Sequence, residues 1–268
     1  MSSTAANVLG TIGTVCWCVQ LVPQIITNYR KKNTTGLPEK MAFLWFFCAP
    51  FFAVYFVSEN ASIPIEIQPH LFGILCWIVY IQVMYYPPVS RPKREIIVRA
   101  TACMLFWVLV EVSATIPLRH LYLSGGPRWP MLIFGIIASI FLALGLIPPY
   151  LELWKRQGRV VGIDFVFLTM DFSGAVFSLA SLAADPSNFD TMGCILYCIC
   201  ASLELGIFVS HFIWCCRFKW FKKSGGKTAE DELESQASSQ LGNSSADFTD
   251  IETSVTCVED DKLKSPQS

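Results

Sequence analysis

Two acidic residues stand where charge is expensive. Asp171 lies in Leu168-Thr-Met-Asp-Phe-Ser-Gly and Glu204 in Leu203-Glu-Leu-Gly-Ile-Phe, each deep in an apolar run long enough to cross a bilayer. An ionised carboxylate at mid-bilayer costs on the order of 3 kcal/mol even on a lenient insertion scale, so such an acid marks an ion or solute path. A carboxyl can also take up and release a proton. That chemistry is assigned to Asp171, with Glu204 as a relay or as the partner of a cationic group. Three prolines form the second set. Pro23, followed by Gln24, and Pro148-Pro149 sit within apolar runs, where proline removes a backbone hydrogen bond and clashes with the preceding turn. They are expected to hinge their helices or to end them, and the Gln24 amide can serve either a solute or the carbonyls the kink releases.

Other polar residues in apolar runs have structural assignments. Glu111 is expected to pair with a neighbouring helix, Glu152 to pair with Lys155 and Arg156 at a membrane edge, and His211 to be structural or interfacial. Ser173, Gly174, Ala175 and Ser178 are small enough to let a neighbouring helix approach Asp171 closely. Cys16/Cys18 and Cys198/Cys200 have no accompanying His cluster, so no metal site is expected. Cys215-Cys216, beside basic residues, suit palmitoylation. There is no nucleotide-binding loop, hydrolase elbow or metalloprotease helix. The chain is therefore not expected to be an enzyme, to carry a cofactor or to bind nucleic acid.

The elements that must position these residues are membrane helices. Hydrophobic residues make up 53% of the chain and charged ones 15%, with a mean hydropathy of +0.47, outside the balance of a soluble domain. Seven spans are predicted, at roughly 6–28, 41–57, 70–86, 100–118, 131–154, 163–184 and 192–214. The first lacks the basic flank of a cleavable signal and is kept as a helix. The chain also repeats itself. Leu21-Val-Pro-Gln…Arg-Lys-Lys returns as Leu146-Ile-Pro-Pro…Trp-Lys-Arg 125 positions later, and Thr35-Gly-Leu returns as Val161-Gly-Ile 126 positions later. A three-span unit ends on the opposite side of the membrane from its start, so two parallel copies need one extra crossing. The expected plan is therefore 3+1+3: a bundle over 6–86, a linker helix over 100–118 and a second bundle over 131–214, with solute between the bundles.

Orientation follows from Lys and Arg. Sixteen lie in the loops after spans 1, 3 and 5 and at the start of the tail after span 7, against two, Arg119 and Arg128, on the other side. The N-terminus is thus expected outside or in a lumen and the C-terminus in the cytosol. Asn60-Ala-Ser62 is the one sequon on the outer side, making Asn60 the expected glycosylation site. Residues 215–268, with ten Asp/Glu and two Lys from Glu230 onward, are expected to form a disordered cytosolic tail.

The Pro23-Gln24 pair, with Asn28-Tyr-Arg-Lys-Lys32 and Thr35-Gly-Leu37, resembles the PQ-loop repeat family. Met170-Asp-Phe-Ser-Gly-Ala-Val-Phe-Ser-Leu179 and Glu204-Leu-Gly-Ile-Phe-Val-Ser-His-Phe212 resemble spans six and seven of its cystinosin branch, proton-coupled exporters of cystine from lysosomes. The likeness covers about residues 7–216. Two departures are Pro148-Pro149 in place of the second Pro-Gln, and Trp45 in the first repeat at the position of Asp171. The resemblance implies a secondary transporter of a small polar solute, amino-acid-like or cystine-like, coupled to protons. Vacuolar, lysosomal or other endomembranes are the expected location, with the plasma membrane as the alternative. Protons, the solute and membrane lipid are the expected partners, and a homo-oligomer is compatible with the sequence. The alternatives are a proton-independent sugar facilitator of SWEET type and a non-transporting receptor of KDEL-receptor topology.

Overall fold

The computed structural model describes residues 4–61, 63–185 and 191–220. The helices are α1 (Thr4–Val19), α2 (Leu21–Lys31), α3 (Glu39–Ser58), α4 (Ile63–Tyr85), α5 (Lys93–Leu123), α6 (Trp129–Gly145), α7 (Ile147–Lys155), α8 (Phe165–Ala184) and α9 (Thr191–Trp214). A π-helical segment, Cys215–Trp220, continues from α9. The described residues contain no strand. Since α1 runs into α2 and α6 into α7, the described residues form seven rods long and apolar enough to span a membrane. The protein is an all-α, multi-pass membrane protein. The expected acidic tail lies outside the described residues beyond Trp220.

The prolines explain where two rods bend. Pro23 cannot bond the carbonyl of residue 19, and Val19 ends α1; Pro149 cannot bond that of residue 145, and Gly145 ends α6. The intervening Gln20 (φ −52, ψ −38) and Leu146 (φ −81, ψ −14) keep near-helical torsions. Each rod therefore bends and continues, with its prolines in the first turn of α2 or α7, where a missing N–H costs little.

Two spans differ from expectation in length. The fourth is a 31-residue helix rather than 100–118, because Lys93 to Arg99 and Arg119 to Leu123 carry charge that hydropathy rejects but an aqueous helical turn accepts. The third starts well before residue 70, its first turns hidden from a hydropathy reading by Glu66, Gln68 and Pro69. Much of the α5 surface is exposed and apolar, including Ile97, Leu105, Leu109, Val112 and Ile116, as a lipid-facing helix requires. Its one membrane acid is paired, since Glu111 takes His70 Nε2 at 2.7 Å and Trp107 Nε1 at 2.5 Å. Glu152 meets Lys155 at 2.9 Å and Arg156 at 3.6 Å.

Helices pack across the repeats. α1 lies along α8, and α6 along α3, so the first helix of each repeat contacts the second helix of the other. Within the repeats α3 packs on α4 and α8 on α9, while α5 rests on α3 and α4. The core centres on α3, where Trp45, Phe46, Cys48, Ala49, Ala53 and Val54 are almost fully enclosed.

At the end bearing the basic clusters, the two loops lie back to back. Gly36 (φ +87) and Gly162 (φ +81), 126 positions apart, face one another. A Cβ on Gly36 would sit 2.4 Å from the Val161 carbonyl oxygen, and one on Gly162 would sit 2.4 Å from that of Thr35. Only glycine fits, both for torsion and for space. At the opposite end Arg128 forks onto Glu59 at 2.9 and 3.2 Å. Arg119 donates to Asn60 Oδ1 at 2.8 Å there, so both arginines of that end brace the α3–α4 turn. Ser62, the third residue of the Asn60 sequon, lies outside the described residues.

Candidate functional site

A cavity of about 300 Å³ lies between the repeats. Its floor is formed by Gln20 and Leu146 at the two bends, Trp45, Asp171 and Glu204. Its walls rise along α1, α3, α4, α8 and α9 toward the end opposite the basic clusters. Matched positions line it from both sides: Trp45 with Asp171, Phe52 with Ser178 and Phe56 with Leu182, each 126 apart, and Phe72 with Cys200, 128 apart. The geometry is near two-fold, but the chemistry is not. The first repeat contributes mainly aromatic rings through α3 and α4, with Gln68, and the second contributes carboxyl, hydroxyl and thiol groups through α8 and α9, with the Tyr197 ring.

Two indoles tie the floor together. Trp17 Nε1 donates to the Asp171 carbonyl at 3.2 Å, and Trp45 Nε1 donates to the Leu142 carbonyl at 3.1 Å. Trp17 and Leu142 occupy matching positions, as do Trp45 and Asp171, so one cross-repeat contact occurs twice with donor and acceptor exchanged. Glycines make these approaches possible. A Cβ on Gly13 would lie 2.6 Å from Ser178 Oγ and 3.0 Å from the Gly174 carbonyl oxygen; one on Gly174 would lie 2.5 Å from Trp17 Nε1. Gly174→Ala should therefore push the Trp17 ring away, break its bond to Asp171 and cost about 1–3 kcal/mol of overpacking. The expected result is a lower unfolding midpoint of the purified protein, and an unchanged midpoint would show the ring can yield freely.

Asp171 and Glu204, on facing turns of α8 and α9, converge. Both are buried, Glu204 to 1% exposure, and their carboxyls lie within hydrogen-bonding reach of one another. The Gln20 side chain also lies beside the Asp171 carboxyl, whereas the single N–H of Trp17 goes to the Asp171 backbone carbonyl. Glu204 Oε2 and Gln20 Oε1 are buried without a hydrogen-bond partner. Two carboxylates side by side in apolar surroundings repel strongly, so such a pair is stable when it shares a proton or holds a cation.

Gln24 stands elsewhere. It is fully buried, one turn beyond Gln20 toward the basic end, and does not line the cavity. Its Nε2 donates to the Gly162 carbonyl at 2.9 Å and to Asn28 Oδ1 at 2.8 Å, and its Oε1 accepts from Asp164 N–H at 2.7 Å. Asp164 caps α8 through Val166 N–H at 2.8 Å and receives the Thr27 hydroxyl at 2.5 Å. Asn28 continues the chain to Gln82, which reaches the Ile25 carbonyl. This network lies between the cavity floor and the paired Gly36 and Gly162 loops. Pro23, Pro148 and Pro149 line neither cavity nor network, and act through the bends. His211 takes the Val160 N–H at 3.2 Å on Nδ1 and thereby holds the second loop against α9. Sequence reading missed Gln20, Trp17 and the aromatic wall. A glutamine one helical turn before Gln24, on the same face, was the available signal.

The chain is 44% identical over 267 residues to an uncharacterized membrane protein of Saccharomyces cerevisiae, covering 97% of this chain and 85% of the relative. It is 32% identical over 213 residues to an uncharacterized protein of Schizosaccharomyces pombe, covering 80% of this chain and 74% of that one. The family model described as the PQ loop repeat matches twice, at residues 5–65 and 131–191, in the same 126-residue register that brings Trp45 opposite Asp171 and Gly36 opposite Gly162. Its first match contains Pro23-Gln24 and its second contains Pro148-Pro149 and Asp171. With two repeats in one register and seven apolar rods, the chain belongs to the PQ-loop repeat family of membrane proteins.

Proposed function

We propose that the chain is a secondary transporter in which two three-helix units, joined by α5, carry a small polar solute across the membrane with proton coupling. The observation behind this reading is the Asp171–Glu204 carboxyl pair at the floor of a cavity between the repeats. The pair gives a proton a place to bind near mid-bilayer. The basic end is taken as cytosolic, so the cavity faces the lumen or exterior and the Gln24 network seals the cytosolic side. Solute and proton enter from the lumenal side, the units rock about the bends at Gln20 and Leu146, the network parts, and both leave toward the cytosol. An acidified vacuolar or lysosomal lumen would drive that direction. A volume of about 300 Å³ is at the low end of small-molecule sites and suits solutes the size of amino acids.

The test uses the full chain in sealed liposomes, with a panel of radiolabelled amino acids, amines and sugars and a pH gradient imposed across the membrane. Uptake of at least one solute should rise with acid on the cavity side and fall when a protonophore collapses the gradient. Flux indifferent to the gradient would establish the sugar-facilitator alternative, in which the buried acids are structural. Saturable binding without flux would establish the receptor alternative.

A further inference from the structure

The lining of the cavity has a lopsided supply of hydrogen-bonding groups. None of its described residues is Lys, Arg or His. Four donors that line it are turned onto backbone carbonyls: Trp17 on Asp171 at 3.2 Å, Trp45 on Leu142 at 3.1 Å, Thr14 on Gly10 at 2.9 Å and Ser181 on Ala6 at 2.7 Å. Of the fully buried polar atoms at its floor, the two without a partner are both oxygens, whereas Gln68 and Ser178 line the cavity with groups that donate as well as accept. Gln20 Oε1 and Glu204 Oε2 are buried and unpartnered, beside the Asp171 carboxyl. The opposite wall is aromatic, with Trp45, Phe52, Phe56 and Phe72 facing the acidic side. A solute carboxylate would meet no cation there and would sit beside two carboxyls, a desolvated like-charge contact. A solute ammonium would meet both unpartnered acceptors and a face of π-systems that attract cations.

We propose that the site recognises a small organic ammonium lacking a carboxylate: an amine whose charge sits among Glu204 Oε2, Gln20 Oε1 and Asp171, and whose apolar body lies on the aromatic wall. Amino acids, which carry both groups, are selected against by the same carboxyls. With two carboxyls present, one can hold the coupled proton while the other meets the ammonium. The assignment deepens the transporter reading and rests on its site.

Three compounds with one phenylethyl body separate the possibilities: phenethylamine, L-phenylalanine and 3-phenylpropanoate. Each is titrated calorimetrically into the purified full-length protein and then offered as labelled solute to liposomes with a pH gradient. Phenethylamine is expected to bind at least tenfold more tightly than phenylalanine, and 3-phenylpropanoate not at all. Glu204→Gln should weaken phenethylamine at least tenfold, with its unfolding midpoint recorded as a check on folding. The wild-type ranking does not depend on any variant. Phenylalanine binding as tightly as the amine, absence of amine binding, or amine binding that ignores Glu204→Gln in a folded protein would each overturn the assignment. If phenylalanine crosses with the gradient while the amine neither binds nor crosses, the transporter stands and the amine assignment falls. If the amine binds as described and never crosses, the assignment stands and the transporter falls.

Discussion

Asp171→Asn should fold, reach the membrane and lose net pH-driven uptake down to the level of empty liposomes. Asparagine keeps the shape of the side chain and can still meet Gln20, so the cavity floor is preserved. It cannot ionise, so the group assigned the coupled proton no longer has the deprotonated form in which the empty carrier returns, and Glu204, assigned as relay, does not replace it. The backbone carbonyl of residue 171, which takes the Trp17 indole, is untouched by the change. Glu204→Gln should retain a residual flux, since Asp171 still titrates. The measurement is initial uptake in matched liposomes with acid on the cavity side, alongside the unfolding midpoint of each variant. Wild-type pH-driven uptake by Asp171→Asn would remove this carboxyl from the coupling mechanism.

Gln24→Ala should have the largest effect on stability of any single polar substitution in the membrane body. It removes both ends of one buried amide and strands the Gly162 carbonyl, the Asp164 N–H and Asn28 Oδ1. Leaving a buried polar group unpaired costs about 1–3 kcal/mol each, and partial relaxation of the loop brings the expected loss to about 3–5 kcal/mol. The unfolding midpoint should drop by several degrees. Because the same bonds join α2 to the loop before α8, the seal should also loosen, so that a membrane-impermeant thiol reagent applied from the basic end reaches a cysteine placed at Trp45. Gln24→Glu separates the two effects of the amide: it keeps the acceptor toward Asp164 and loses both donated bonds. A midpoint within a degree of wild type for Gln24→Ala would show that water replaces the amide and that the network is not a seal.

Much of this architecture was legible in the sequence. The repeat, the seven rods and the proline-dependent bends follow from hydropathy and from the i−4 hydrogen bond that proline cannot make. Asp171 and Glu204 stood out because an acid in an apolar span has few inexpensive explanations, and both line one cavity. Gln20 and Gln24 show why the remainder was hidden. They lie on one face of one rod, a single turn apart, yet one meets the cavity and the other the loop of the second repeat. Which of them does which depends on the height of the cavity floor, and that is set by Trp17 meeting Asp171 across 154 residues of chain. Hydropathy carries no information about such a contact. Trp17 and Phe72 were equally silent, since an aromatic ring in an apolar span looks the same whether it faces lipid, core or solute; Trp45 was visible only as the residue at the position of Asp171. The pairing of His70 with Glu111 was half legible: the acid announced a need for a partner, and the packing of α5 on α4 decided which.

The mismatch of Trp45 with Asp171 bears on how such a chain could have arisen and whether it could ever come apart again. Had each half been a separate polypeptide assembling with its own copy, two first halves would have faced each other with a pair of tryptophans and no acid. Two second halves would have brought four carboxyls into one apolar chamber, with no aromatic wall opposite. Neither self-assembly yields the mixed chamber. With a tryptophan on one side and an aspartate on the other, the two halves are complementary parts, and a single chain keeps them at one-to-one ratio and in one orientation.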